Sequence, residues 1–449
     1  MSFSSTRARL RNMLRNLKEA VRPYYLRWVY FRLFPSARPP HFSACWKFPW
    51  CPLSVRAPIQ FGERGHEPSF LFLPMADWHT RIQRSQHLAR AFARGGHRCF
   101  FLNPHLGREF RHTRLREKGH RVALLEPGIV ELHVRLPREP VFHHRLLSGA
   151  ENRIVLTALE TLMQASGIRR LIQIVSLPTW CDVAAGLKKL SGSPIVYDCH
   201  DLLGGFQAIA QEIVEREVEL LRLSDLVVFS AQYLMDRKVA VFPWLKDKAV
   251  LVRNAADFPH FTAARREASP YRTTVPKTIG YAGSLNHWFD TAAVREAALR
   301  RPDWSFVLVG RIEDERILTL SKIKNVHLLG EVPYAELPKY MAQFDVGLIP
   351  FLRNELTLAA NPIKLYEYFS LGLPVVSTRL PEVELFGDLV YLADDPESFA
   401  SQVERAAEET GESLRERRMA IARQESWAAR AEQLLVAFER VIPWADVVD

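Results

Sequence analysis

Short, continuously apolar runs alternate with amphipathic segments from Ser69 to Ser377, and this rhythm constrains the fold more than any other feature. Phe70–Pro74, His97–Asn103, Ile129–Leu136, Leu171–Val175, Ile195–Asp198, Leu226–Ser230 and Ala249–Val252 read as strands. Helical periodicity over Arg84–Arg94, Glu151–Ser166, Trp180–Leu190, Glu212–Leu223 and Gln232–Val239 separates most of them. Apolar strands spaced by helices predict parallel sheets covered on both faces, an α/β class. Pro259, Pro270 and Pro276 interrupt the pattern, which then restarts. Strands are expected at Ile279–Ala282, Phe306–Val309, Val326–Leu329, Val346–Ile349 and Val375–Ser377, and a closing helix at Ser413–Val441. The expected architecture is two doubly wound Rossmann-like domains facing a shared cleft, with ligands at the carboxyl ends of the strands. No Gly-x-Gly-x-x-Gly follows the first strand of either half, so a dinucleotide site loses its main support. We place an extension at 1–65, a first domain at 66–256 completed by a helix at 418–442, a linker at 257–276 and a second domain at 277–417.

Charge divides along the same lines. The formal charge of +10 resembles a nucleic-acid signal until it is located. Residues 1–50 carry ten basic residues and one acid, and 51–147 carry sixteen and eight. The rest of the chain is net acidic, so no nucleic-acid partner is expected. The five cysteines form no Cys-x-x-Cys pair, which argues against a disulfide framework or zinc site and for a reducing cytoplasm. No apolar run reaches the length of a membrane span, and no secretory signal is expected.

Within the extension, Leu10, Leu14, Leu17, Val21, Tyr24 and Trp28 recur at helical spacing. Arg11, Arg15, Lys18 and Arg22 form a basic stripe beside them. Such a helix suits an anionic membrane surface, where each basic residue contributes about 1 kcal/mol. Packing on the body of the protein, docking to another macromolecule and an organelle transit peptide are the alternatives.

The richest segment is Asn361-Pro-Ile-Lys-Leu-Tyr-Glu-Tyr-Phe-Ser-Leu-Gly-Leu-Pro-Val-Val-Ser377. Asn361 is expected to cap a helix with Pro362 at its first position, leaving backbone N–H groups for an anion. Lys364 adds a point charge for phosphate, and Glu367 lies one turn on, where a carboxylate can accept two ribose hydroxyls. The plainer alternative is a surface Lys and Glu on an ordinary αβ unit.

Lys364-Leu-Tyr-Glu-Tyr, with Gly372-Leu-Pro-Val-Val-Ser-Thr378, resembles the nucleotide-binding signature of GT-B glycosyltransferases, above all family 4-like enzymes. Ile279-Gly-Tyr-Ala-Gly-Ser284 and Pro302-Asp-Trp-Ser-Phe-Val-Leu-Val-Gly-Arg311 resemble the opening of their donor domain. Ser426-Trp-Ala-Ala-Arg430 resembles their closing helix, which crosses back to the first domain. The likeness spans roughly 69–442 and points to a branch serving cell-surface polysaccharides, including teichuronic-acid-type transferases. It implies donor binding by Gly283, Ser284, Arg311, Lys364 and Glu367, with the donor a UDP- or GDP-sugar. The signature's first carboxylate falls at Ala359 and is missing, and the usual Arg and Lys after the first donor-domain strand are replaced by Ser284, Asn286 and His287.

Tyr197-Asp-Cys-His-Asp201 closes a strand at the presumed cleft. His200 and Asp201 match a catalytic position of the family; a structural His–Asp bond is the alternative. Trp78-His-Thr-Arg-Ile-Gln-Arg-Ser-Gln86 resembles an Arg-bearing loop of the branch, so His79, Arg81 and Arg84 are expected to meet the acceptor or the diphosphate. Many family members carry glycines there, and this chain carries none. The resemblance implies sugar transfer, with retention of configuration and no metal or other cofactor, to a lipid-linked or glycan acceptor at the inner face of the plasma membrane. A nucleotide-sugar 2-epimerase of the same architecture and a non-catalytic GT-B scaffold are the rival readings.

Overall fold

The computed structural model describes residues 51–52, 66–79, 81–103, 120–137, 142–263 and 275–441. All of them belong to one compact unit, Phe48–Asp449. The expected membrane residues Arg11, Arg15, Lys18, Arg22 and Trp28 lie outside the described residues.

The compact unit contains two sheets. The first comprises β1 (Cys51–Pro52), β2 (His66–Leu73), β3 (His97–Leu102), β4 (Arg121–Glu126), β5 (Ile129–His133), β6 (Leu171–Val175), β7 (Ile195–Cys199), β8 (Leu226–Phe229) and β9 (Ala249–Leu251). Their spatial order is β1-β4-β5-β3-β2-β6-β7-β8-β9, parallel except where β4 runs against β1 and β5. Phe70–Leu73 of β2 are at most 1% exposed on either face. Burying each such side chain is worth roughly 1.5–3 kcal/mol, which holds β2 between its neighbours and two helical layers. Helices α1 (Arg84–Arg94), α2 (Gly149–Ser166), α3 (Cys181–Ser191), α4 (Gln211–Leu223) and α5 (Gln232–Val241) cover this sheet. Their limits follow local chemistry. Ser148 and Glu151 form a capping box at the start of α2, and Gly167, in the left-handed region, ends it.

The second sheet comprises β10 (Thr278–Ala282), β11 (Ser305–Val309), β12 (Val326–Gly330), β13 (Val346–Ile349), β14 (Val375–Thr378) and β15 (Val390–Ala393). It is wholly parallel, in the order β12-β11-β10-β13-β14-β15. Its helices are α6 (Phe258–Thr262), α7 (Thr291–Arg300), α8 (Leu337–Met341), α9 (Glu355–Leu358), α10 (Ile363–Ser370), α11 (Pro381–Glu384) and α12 (Pro396–Ala407). The segment expected as linker thus carries a helical turn, α6, whose Phe261 is fully buried in the second domain.

The closing helix is not continuous. It divides at Glu425 and Ser426 into α13 (Glu412–Gln424) and α14 (Trp427–Val441). Ala422 of α13 packs in the second domain, whereas Trp427, Ala431, Leu434 and Phe438 of α14 pack with Phe70 and Phe92 of the first. The return to the first domain therefore begins after the break and not at residue 418. The two crossings run side by side, with Ala256 N–H donating to the Glu425 carbonyl at 2.9 Å.

Candidate functional site

Two loops at the carboxyl ends of β10 and β11 form the second domain's side of the cleft. Gly283 N–H donates to the Val309 carbonyl, Leu285 N–H to Arg311, and Glu313 N–H to Leu285, at 2.8–2.9 Å. Only glycine fits at 310: its φ is +150°, and a Cβ there would lie 1.7 Å from the Gly283 carbonyl oxygen. Gly283 was expected to bind the donor, but its amide is already used by the Val309 carbonyl. Ser284 Oγ donates to Glu313 Oε2 at 2.8 Å, and Asn286 Nδ2 to the same oxygen at 2.6 Å. Arg81, from the first domain, donates from Nη2 to Glu313 Oε1 at 2.8 Å. Arg311 is half exposed and 3.7 Å from Glu313, an ion pair without a hydrogen bond. These cations and the Ser284 hydroxyl hold the Glu313 carboxyl below its usual range, against the opposing effect of burial.

On α10, Lys364 Nζ donates to Glu367 Oε2 at 2.7 Å, with Glu367 only 2% exposed. The pair occupies the first two turns, as its spacing predicts. Asn361 does not cap this helix; Pro362 stands at the cap position without a side-chain bond. Instead Asn361 is buried, accepting the Asn254 N–H at 2.9 Å and donating to Glu382 Oε2 at 2.9 Å. Ala359 is 1% exposed and packs with the first domain's core, where an unpaired carboxylate would be strongly disfavoured.

Rings from both domains gather beside α10. His87 of α1 stacks on Trp427, with centroids 4.8 Å apart, and meets the edge of Tyr334 at 5.4 Å. Burial first, then Arg90, Lys364 and His260, push the His87 imidazole well below its ordinary range, so it stays neutral. Tyr334 stacks on His260 at 4.5 Å, and its hydroxyl is buried without a hydrogen-bond partner among the described residues.

The first domain contributes the end of β7. His200 Nδ1 lies 3.0 Å from the Asp198 carbonyl and Nε2 2.9 Å from Met75 Sδ. Asp201 Oδ2 is 3.6 Å from His200 Nε2, within ion-pair range but beyond a hydrogen bond. Burial, opposed by His200 and Arg84, raises the Asp201 carboxyl above its ordinary value.

Arg84 is 1% exposed and does not face the cleft as expected. Its Nε bonds Asp198 at 2.9 and 3.1 Å, and its Nη1 bonds Asn254 Oδ1 at 3.0 Å. A buried guanidinium needs this pairing, which makes Arg84 a brace rather than a diphosphate ligand. His79 is also drawn inward, its Nε2 2.8 Å from buried Glu131. Of the three loop residues, Arg81 alone reaches the second domain through ion pairs, to Glu313 and at 3.5 Å to Glu331.

Glu313, Glu331, His87 and Tyr334 were not anticipated. Their signal in sequence is weak, since each acquires its surroundings from a distant segment. Among the described residues, Cys181, Asp182 and Glu219 are close enough to share a cation. Burial pushes the Cys181 thiol up to about 11, and Asp182 is already paired with Arg216, so the group is poorly suited to hold one.

Comparison with known proteins agrees with this geometry. Residues 276–409 match the family described as Glycosyl transferases group 1. A Bacillus subtilis (strain 168) protein assigned by name to teichuronic acid biosynthesis, the glycosyltransferase TuaH, is 28% identical over 269 residues. The match covers 55% of this chain and 66% of that protein, just under two thirds of its length. The sucrose-phosphate synthase of Thermosynechococcus elongatus shares the fold with a TM-score of 0.63 at 14% identity, over 84% of this chain and 99% of its own. Anabaena HepE, solved with UDP and glucose, aligns with a TM-score of 0.58 at 17% identity, over 83% and 100%. The trehalose-phosphate synthase of Burkholderia xenovorans, solved with glucose-6-phosphate, gives 0.62 at 12%, over 83% and 100%. With the paired sheets, the α10 signature and the helix that crosses back, these likenesses give the chain the GT-B fold and make its second domain similar to the group 1 glycosyl transferases.

Proposed function

We propose that this protein moves a sugar from a nucleotide donor, a UDP- or GDP-sugar, to a lipid-linked or cell-surface glycan acceptor at the cytoplasmic membrane face. The carrying observation is the Lys364–Glu367 pair on α10, at the interdomain face beside Tyr334 and His87. In this reading Glu367 receives the ribose hydroxyls, and Lys364 turns from Glu367 toward phosphate. Ser284, Arg81 and Arg311 face the leaving diphosphate, whose developing charge they stabilise. His200 and Asp201 stand across the cleft, where one sugar hydroxyl or the charge at the anomeric carbon is met. Alignment of two bound substrates supplies much of the rate gain, and retention of configuration without a metal is the expected course. TuaH's assignment to teichuronic acid biosynthesis supports a surface-polysaccharide acceptor, and HepE's complex with UDP supports a uridine donor. The basic stripe of Arg11, Arg15, Lys18 and Arg22, helical by its sequence spacing, would hold the enzyme to anionic lipid.

Nucleotide release from a panel of nucleotide sugars, with and without membrane lipid extract and with EDTA, tests the reading. Release that depends on lipid and survives EDTA is expected. Interconversion of the free nucleotide sugar at C2 would favour the epimerase, and no turnover of any donor would favour a scaffold. Glu367→Ala should weaken nucleoside diphosphate binding by about tenfold or more, since a carboxylate that accepts two hydroxyls is lost. Unchanged affinity would remove Glu367 from the site.

A further inference from the structure

We propose that Glu313 is an internal competitor for the donor's diphosphate, its carboxylate filling an anion cradle that bound donor must empty. This rests on the reading of the cleft as a nucleotide-sugar site. The cradle draws on both domains. Ser284 and Asn286 donate to one carboxylate oxygen at 2.8 and 2.6 Å, and Arg81 donates to the other at 2.8 Å, with Arg311 at 3.7 Å. A guanidinium, a hydroxyl and an amide at these distances are the donors that a phosphate oxygen accepts. They sit at the carboxyl ends of β10 and β11, where a parallel sheet binds its ligand.

Glu313 holds this place as a side chain only. Its backbone N–H stays bonded to the Leu285 carbonyl, so rotation about the side-chain torsions empties the cradle without moving the loop. Glu313 and Arg81 are each 27% exposed, which leaves solvent a route in. Charge makes the displacement obligatory. Glu313 and Glu331 together cancel Arg81 and Arg311, so an incoming diphosphate finds a neutral cradle and a carboxylate at close range. Once Glu313 swings out, Arg81 and Arg311 face the ligand. Arg81 then exchanges an interdomain ion pair for a ligand contact, and the donor takes over the bridge between the domains.

Titration calorimetry on the full chain, with inorganic pyrophosphate, UDP, GDP and uridine as probes, tests this. Glu313→Gln should bind pyrophosphate at least about tenfold tighter, as expected for removing one like charge from contact range. The gain should shrink at high salt, and uridine affinity should not change. Arg81→Ala should shift pyrophosphate the opposite way. Glu313→Ala, checked for native circular dichroism, repeats the first measurement without a residual hydrogen-bonding group. Unchanged or weaker pyrophosphate binding in both Glu313 variants would overturn the proposal. Tighter pyrophosphate binding with no nucleotide affinity in any chain would uphold the competitor and remove the nucleotide reading. Equal nucleotide binding in wild type and both Glu313 variants would do the reverse.

Discussion

Asp201 shows how the burial of one carboxyl acts against stability at neutral pH. Its carboxyl is raised above the ordinary 3.8, chiefly by burial, with Asp198 adding to the rise and His200 and Arg84 opposing it. The folded state therefore holds the proton more tightly than the unfolded chain does. The stability this contributes is fully present below about pH 3.8 and is lost as pH rises through the folded value. Asp201→Asn removes the cost of burying a charge. The variant should melt higher than wild type at pH 7, by about 2–4 °C for each kcal/mol gained, and the two should converge below pH 4. Thermal melts between pH 3.5 and 7.5 check this, and a constant difference across that range would contradict the assigned cause. Lost turnover in the more stable variant would mark a residue kept for function.

At the scale of elements, Gly310 determines how closely the β10 and β11 loops approach. Gly310→Ala places a methyl group inside the Gly283 carbonyl and forces a backbone that side chains avoid, at a cost of order 1–3 kcal/mol from the conformation alone. The loops should part, and Ser284 and Arg81 should lose their shared contact with Glu313. Lower thermal stability with a parallel loss of pyrophosphate affinity is expected, and calorimetry on the variant measures both. The two-sheet plan was legible because parallel strands are apolar on both faces, as Phe70–Leu73 and Val346–Ile349 are. Strand β4 was not, because its apolar run Val122–Leu125 is short, lies near the sheet's edge with Leu124 45% exposed, and pairs antiparallel outside the β-α rhythm. The division between α13 and α14 was hidden for another reason. The chain from Glu412 to Val441 has no proline or glycine to mark it, and the interruption comes from backbone pairing with Ala256. Lys364 and Glu367 were legible since helical spacing alone brings them together, whereas the pairing of Arg81 with Glu313 spans 232 positions.

For the whole molecule, the question is what holds two domains at a fixed distance across a cleft. The +10 charge does not bear on it, since its excess lies before residue 148 and the interface is built from matched pairs. Glu382 is the centre of that interface and only 1% exposed. It accepts the Gln232 backbone N–H at 2.7 Å and Arg253 Nε at 2.7 Å from the first domain's side, and Asn361 Nδ2 at 2.9 Å from its own. Asn254 extends the network to Arg84 and to Arg430 on α14, so both crossings converge on it. Removing the carboxylate leaves donors buried without a partner, and breaking such a pair costs about 3–5 kcal/mol when both groups are buried. Arg253 is 30% exposed and recovers some hydration, which lowers the expectation to about 2–3 kcal/mol. Glu382→Ala should therefore split a single denaturant transition into two, with each sheet unfolding separately, while Glu382→Gln, which keeps an acceptor, should lose less. Intrinsic fluorescence and far-ultraviolet circular dichroism followed through the same urea titration will separate under domain uncoupling. Coincident curves at an unchanged midpoint would show that the domains are held by their apolar contacts, Ala359 against the first domain's core and Ile363 against its Phe70 and Phe92 cluster, and not by Glu382.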